Sequence, residues 1–298
     1  MRSRRTYAGG LAAALLAAAA LLVAGCGTSA KGGSSAGGGG PVAVLYAASL
    51  EHLMEAVIGP AFDRASGYRL EGFAGGSDEL VSEMRGGVHV ADVFISASPK
   101  ADVPLERAGG RQRAEWYVTF AKAPLVFGYD PHSAIAAQLR HRPWYQVLTE
   151  PRWRIGRTDP KLDPKGKLTV QALEAAAVDL HLPALRSALG RFEVFPEAAL
   201  VGRLQSGQLD GGFFYANEAA EAHIPTVALA GLHLGATFTI TIPTGAPDPT
   251  GAQAFVAYLL GSSGRALLAA HGLSVMTPTL SGSPALLAPS LRALIPGS

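Results

Sequence analysis

Along the chain, short unbroken apolar runs alternate with apolar residues at helical spacing. Residues 42–46 form one such run. Leu50, Leu53, Met54, Val57, Ile58, Ala61 and Phe62 then recur as one face of a helix. Pro60 falls inside that set and predicts a kink or break near Gly59. The segments "YRLEGFAG" and "ADVFISAS" read as strands flanking the short helix "SDELVSEMRGG", the second strand apolar enough to be buried on both faces. "WYVTFAKAPLVFGYD" predicts a longer strand, followed by a helix over residues 134–148. "RWRIGRTDP" predicts a strand ending in a loop, "LTVQALEAAAVDLHL" a helix, and "FEVFP" a strand before the helix "EAALVGRLQSG". "LDGGFFYA", "TVALAG" and "ATFTITIPTG" predict strands, with "NEAAEA" a short helix between the first two. Two helices then break at residues 261–264, and the tail from Pro278 carries no assignable pattern. Strands alternating with helices define an α/β chain whose parallel strands are covered on both sides.

The first 40 residues follow another pattern. "MRSRR" is a basic start, "AGGLAAALLAAAALLVAG" an apolar stretch, and "VAGC" places small residues before Cys26. This reads as an export signal over residues 1–25 ending at a lipidation site, Cys26, rather than a membrane span, for which about 18 apolar residues is near the lower limit. Arg4 and Arg5 also hint at twin-arginine export. Residues 26–40 are a Gly/Ser tether reaching roughly 20 Å. The expected product is an exported protein, held by its lipid to the outer face of the cell membrane.

Composition narrows the chemistry. With 48% hydrophobic and 16% charged residues, the 298-residue chain can build a large core. Cys26 is its single cysteine, so no intramolecular disulfide forms and, once acylated, no thiol remains for catalysis or metal binding. Loss of the three arginines of residues 1–25 takes the formal charge from +2 to −1, which leaves no global field for nucleic acid. The GxSxG match at residues 33–37 falls inside the Gly/Ser tether, no HExxH sequence occurs, and the eight histidines are scattered.

Two junctions stand out, "AASL" around Ser49 and "AGGSDEL" around Ser77. Each puts a serine after Ala or Gly where a strand gives way to a helix. In open α/β sheets ligands bind at such strand ends, where free amides and the helix dipole favour an anion. Ser49 and Ser77 are therefore either helix caps or hydroxyl donors to a shared oxyanion.

These junctions, with "WYVTFAKAPLVFGYD", "RPWYQVLTEPRWRIGRTDPKLDPKGK" and "EAALVGRLQSGQLDGGFFYANEAA", resemble the molybdate/tungstate-binding proteins of ABC importers, most closely the tungstate-type branch. The resemblance implies a type II periplasmic-binding-protein fold: two α/β lobes joined by crossing strands around a central cleft. Lobe I would comprise residues 41–118 and 242–298, lobe II residues 119–241. It implies a monomeric binding protein, not an enzyme and without a cofactor, that captures molybdate or tungstate and delivers it to an ABC permease. Ala48 and Ser49 match the family's first anion-binding turn and Ser77 its second. Asp163, Pro164 and Lys165 match a ligand turn that usually reads Asp-Pro-Cys-Gly, with Lys165 in place of the cysteine. Glu197 matches a second carboxylate and Tyr215 a hydroxyl donor, with Phe214 where the family often has Glu. Asp163 and Glu197 would reach the metal centre of the cargo.

Two carboxylates beside a dianion raise an electrostatic problem, since like unit charges 4 Å apart cost about 4 kcal/mol at an effective dielectric of 20. A hard Mo(VI) or W(VI) centre resolves it by accepting carboxylate oxygen, and phosphate by donating its proton; sulfate does neither. The alternatives are the same fold binding phosphate, sulfate or a small organic solute, and an exported hydrolase on a two-lobed scaffold. Lys161, Lys165 and Lys167 read either as attraction for an incoming anion or as a solvated loop.

Overall fold

The computed structural model describes residues 39–106 and 112–297. The expected signal, Cys26 and the tether up to residue 38 lie outside the described residues.

Among the described residues ten strands form one continuous sheet: β1 (Pro41–Ala47), β2 (Arg69–Gly75), β3 (Val93–Ser96), β4 (Trp116–Tyr129), β5 (Ile155–Thr158), β6 (Glu193–Phe195), β7 (Gly211–Tyr215), β8 (Thr226–Ala228), β9 (Gly235–Thr241) and β10 (Ser274–Gly282). The main path runs β2-β1-β3-β9-β4-β7-β5-β6, with β8 and β10 both paired to β4. Two groups of parallel strands, β2-β1-β3 and β7-β5-β6, sit at the two ends. Between them, β4 and β9 run antiparallel to their neighbours. The first half of β4 pairs with β9 and β10, and its second half with β7 and β8, so one fourteen-residue strand serves both groups.

Alternation explains how the sheet is covered on both faces. Tyr46 and Ile95 join the main core, while Leu45 and Phe94 pack on the opposite face with Leu80, Val81, Met84 and Leu105. At the other end Phe213 joins the main core, whereas Phe214 packs with Leu200, Leu204 and Leu209 beneath the helix Glu197–Gln205. Leu50, Leu53, Met54, Ile58 and Phe62 are all fully buried, as their spacing predicts.

Several local expectations are refined. The break foreseen at Pro60 is a widened π-turn over Met54–Ile58, after which the helix Gly59–Ser66 continues with Pro60 in its first turn. The helix expected over residues 134–148 is two, Ile135–His141 and Trp144–Val147. Pro143 starts the second, and Arg142 before it is extended, as a residue preceding proline prefers. Helices at Pro99–Glu106 and Ala184–Leu189 were not foreseen, nor was β10. β10 contains Pro278, which is tolerated because the pairing with β4 shifts register between Val275 and Thr279. Among the described residues no helix is long and apolar enough to cross a membrane.

Candidate functional site

Every ligand-binding residue expected from the sequence lies at or just beyond the C-terminal end of a parallel strand. Ala48 and Ser49 follow β1, Ser77 follows β2, Asp163 to Lys165 follow β5, Glu197 follows β6, and Tyr215 ends β7. The turns of the two strand groups meet. Glu79 N–H donates to the Leu162 carbonyl at 3.0 Å, and Asn217 Nδ2 donates to the Ser49 carbonyl at 2.9 Å. Lys167 Nζ pairs with Asp78 Oδ1 at 2.6 Å. Gly76 lies so close to the facing turn that a Cβ there would come within 2.5 Å of the Leu162 carbonyl oxygen.

Neither serine caps a helix. Ala47 precedes the 3-10 turn Ala48–Leu50, and Gly76 precedes the helix Ser77–Gly86, with no side-chain cap at either. Ser49 is buried and its hydroxyl has no partner. Ser77, fully buried, accepts from Ala97 N–H at 3.0 Å, so its own proton stays available.

Asp163 does what an Asp before Pro often does: its Oδ1 accepts from Lys165 N–H at 3.0 Å and caps the helix Pro164–Asp179. Its other oxygen, Oδ2, is buried with no partner beyond the nearby Thr158 hydroxyl. Burial and the nearby Glu197 push this carboxyl up to about 7, against the opposing pull of Lys165. Pro164, at the first helical position, is buried beside it.

Lys165 departs from both readings of its loop. It neither extends into solvent nor steers from the surface; its side chain is 1% exposed. Nζ reaches both oxygens of Glu218 at 2.7 and 2.8 Å, and Oε1 of Glu197 at 3.2 Å. Burial pulls the ammonium down, but Glu218, Glu197 and Asp163 outweigh it and hold Lys165 above its ordinary value. Lys167 is tied to Asp78, and only Lys161 remains on the exposed loop.

Glu197 opens the helix Glu197–Gln205, but its carboxylate does more than meet the dipole. Oε2 accepts from Ala48 N–H at 3.2 Å, so Glu197 bridges the two groups of turns. Oε1 has only the ion contact with Lys165, without hydrogen-bond geometry. Burial raises the affinity of Glu197 and Glu218 for a proton. Tyr215 is fully buried with its hydroxyl unpartnered; burial first, then Asp163 and Glu197, hold that hydroxyl firmly protonated.

Three participants were missed from the sequence. Glu218, in the short helix Ala216–Glu221, neutralises Lys165. Thr158, ending β5, has a buried hydroxyl whose one neighbour is the Asp163 carboxyl, and the side-chain oxygen of Asn217 is buried without a partner. The one available signal was position, since each sits at or just after a strand end. Among the described residues no group of three or more His, Cys, Asp and Glu side chains is placed to hold a metal ion.

This arrangement, a continuous sheet with two parallel groups joined by antiparallel strands and polar groups gathered where their turns meet, defines the two-lobed binding-protein class. The periplasmic molybdate-binding protein of Azotobacter vinelandii shares the fold at TM-score 0.59 and 20% identity, over 79% of this chain and 99% of that one. The sulfate-binding protein of Mycobacterium tuberculosis shares it at TM-score 0.65 and 18% identity, over 86% and 91%. Residues 42–274 match the bacterial extracellular solute-binding proteins, and the chain belongs to that family. A Haloferax volcanii protein provisionally named an ABC transporter molybdenum-binding protein is 31% identical over 74% of this chain. The match spans 66% of that relative's length, just under two thirds. A solute-binding protein of Petrotoga mobilis is 27% identical, over 69% of this chain and 74% of its own.

Proposed function

We propose that this protein captures an oxyanion of molybdenum or tungsten outside the cytoplasm and hands it to an ABC permease. One observation carries the reading: the buried hydroxyls of Ser49 and Tyr215 have no partner, Thr158 and Asp163 Oδ2 have none beyond each other, and all four stand at or just after strand ends. Buried polar groups are satisfied in nearly all folded proteins, so a set of orphans at one place marks where a polar ligand belongs. Hydroxyls of Ser49, Ser77, Thr158 and Tyr215 are donors suited to oxyanion oxygens. Asp163 Oδ2 offers a hard oxygen to a hexavalent metal centre, which sulfate cannot use. The Haloferax relative's name and the Azotobacter fold point the same way. The sulfate-binding fold neighbour keeps sulfate among the anions to be tested.

On this reading the lobes are residues 41–118 with 242–298, and 119–241. The protein is a monomer without catalytic activity or cofactor, exported and anchored through a lipid on Cys26. The test is a thermal-shift and calorimetry panel of tungstate, molybdate, sulfate and phosphate. Stabilisation by the first two above the others is expected; no response to any of the four rejects the reading. X-ray absorption of the loaded protein counts the oxygens around the metal and shows whether Asp163 joins them.

A further inference from the structure

We propose that Glu221 and His271 clasp the two lobes over the loaded site, and that the clasp grips more tightly once His271 gains a proton, so that cargo is held better at pH 6 than at pH 8. This rests on the oxyanion reading above and adds a control over the same site.

The first observation is where the contact runs. Glu221 ends the helix Ala216–Glu221, which follows β7, and His271 ends the helix Ser262–Ala270 as its C-cap. On the lobe division above, Glu221 belongs to residues 119–241 and His271 to residues 242–298. His271 Nδ1 and Glu221 Oε1 stand 3.0 Å apart, with side-chain exposures of 29% and 8%. The next residue, Gly272, packs on the same helix: a Cβ there would stand 3.6 Å from Asn217 Cα.

The second observation ties this contact to the site. The helix that ends in Glu221 begins just after Tyr215. Its Asn217 donates to the Ser49 carbonyl at 2.9 Å, and its Glu218 holds Lys165. Asn217 and Glu221 thus reach the other lobe from one short rigid element, and a retreat of that helix breaks both contacts together. Holding its far end against His271 keeps Asn217 on the first anion turn.

The third observation is charge. His271 stands at the C-terminal end of a nine-residue helix, where the backbone dipole favours a cation. A neutral imidazole can already donate from Nδ1 to a carboxylate, and a second proton adds charge attraction to that hydrogen bond. Glu221 also feels His52, which lines with it a cavity of about 480 Å³. The other charged groups lining that cavity are Glu51, Glu55, Glu197 and Glu218, all carboxylates that favour protonated imidazole. Imidazoles change charge between about pH 5 and pH 8. Burial raises the Glu221 carboxyl above its ordinary value, against the pull of His52 and His271. The clasp therefore strengthens as pH falls through the imidazole range and weakens again once Glu221 itself takes a proton.

Glu221→Gln and His271→Gln test the clasp by calorimetry with molybdate and tungstate at pH 6 and pH 8. The affinity of the natural protein is divided by that of each variant at the same pH, which cancels the titration of Asp163 and of the cargo. The ratio should be about two- to fivefold at pH 6, the worth of a partly exposed ion pair, and should fall toward one at pH 8. A ratio that is equal at the two pH values, or larger at pH 8, overturns the proposal. A second arm needs no cargo. Proton NMR follows the His271 ring through pH, with His271→Gln assigning its signal. Its midpoint should be lower in Glu221→Gln than in the natural protein, and an unmoved midpoint overturns the proposal. If the natural protein binds neither oxyanion, the function proposed above fails, and the NMR arm still decides whether Glu221 holds the charged His271.

Discussion

Lys165 and Glu218, fifty-three residues apart, form a bidentate ion pair at 2.7 and 2.8 Å with side-chain exposures of 1% and 7%. A buried pair of this kind contributes little net stability, but breaking it strands a charge. Lys165→Met keeps the length of the side chain and removes the ammonium, leaving Glu218 and Glu197 buried without their cation. The expected cost is about 3–5 kcal/mol in urea unfolding. Adding Glu218→Gln should recover a substantial part of it, because the stranded charge is then gone. A single variant as stable as the natural protein would mean that the pair carries no structural weight.

The two serines should separate binding from stability. Ser49 Oγ has no partner, so Ser49→Ala should leave Tm nearly unchanged. Ser77 Oγ accepts from the buried Ala97 amide, and Ser77→Ala orphans that N–H at a cost of about 1–3 kcal/mol in stability. For oxyanion affinity each substitution should cost on the order of 1–3 kcal/mol. Calorimetry and thermal denaturation on the same preparations check both halves. Undiminished affinity in the double variant removes both turns from the site.

Asp102 supplies a pH dependence away from the site. It is fully buried on the helix Pro99–Glu106, with Oδ2 accepting from Thr239 at 2.7 Å and Oδ1 unpartnered. Burial pushes this carboxyl up to about 7, although hydrogen bonds from Thr239 and Ser96 pull it down. The unfolded chain has it near about 4. The folded state therefore holds the proton more tightly. Its contribution to stability is complete below about pH 4 and is lost as pH rises through about 7. Between pH 5 and pH 8 the natural protein should lose more Tm than Asp102→Asn, which cannot ionise and can still accept from Thr239. Parallel Tm profiles would show that Asp102 does not titrate in this range.

Much of the architecture was legible because it depends on local periodicity. All of residues 42–46 but Ala43 are buried, and of the helical set Leu50, Leu53, Met54, Ile58 and Phe62 are buried while Val57 and Ala61 are half-buried. The serine junctions were legible because strand ends in such sheets are where polar groups collect. Lys165 was not legible: a lysine between two others in a Pro/Gly loop looks solvated until Glu218 is brought to it from fifty-three positions away. The contact of Glu197 with Ala48 spans 149 positions and is equally invisible to local pattern. β10 was hidden by Pro278, which reads as a strand breaker unless a register shift can absorb it.

Gly76 offers a steric test of the approach between the two groups of turns. Its backbone is extended, φ −63° and ψ 133°, so alanine fits there without conformational strain. The obstacle lies across the gap, where a Cβ would stand 2.5 Å from the Leu162 carbonyl oxygen and 3.3 Å from Asp163 Cβ. Real contacts do not come so close to a carbonyl oxygen, so the turn carrying Asp163 has to retreat. That retreat strains the hydrogen bond from Glu79 N–H to the same Leu162 carbonyl. Gly76→Ala should therefore fold normally, lose at least tenfold in oxyanion affinity, and show a larger radius of gyration by X-ray scattering in the presence of ligand. Unchanged affinity would mean that the approach of these two turns plays no part in capture.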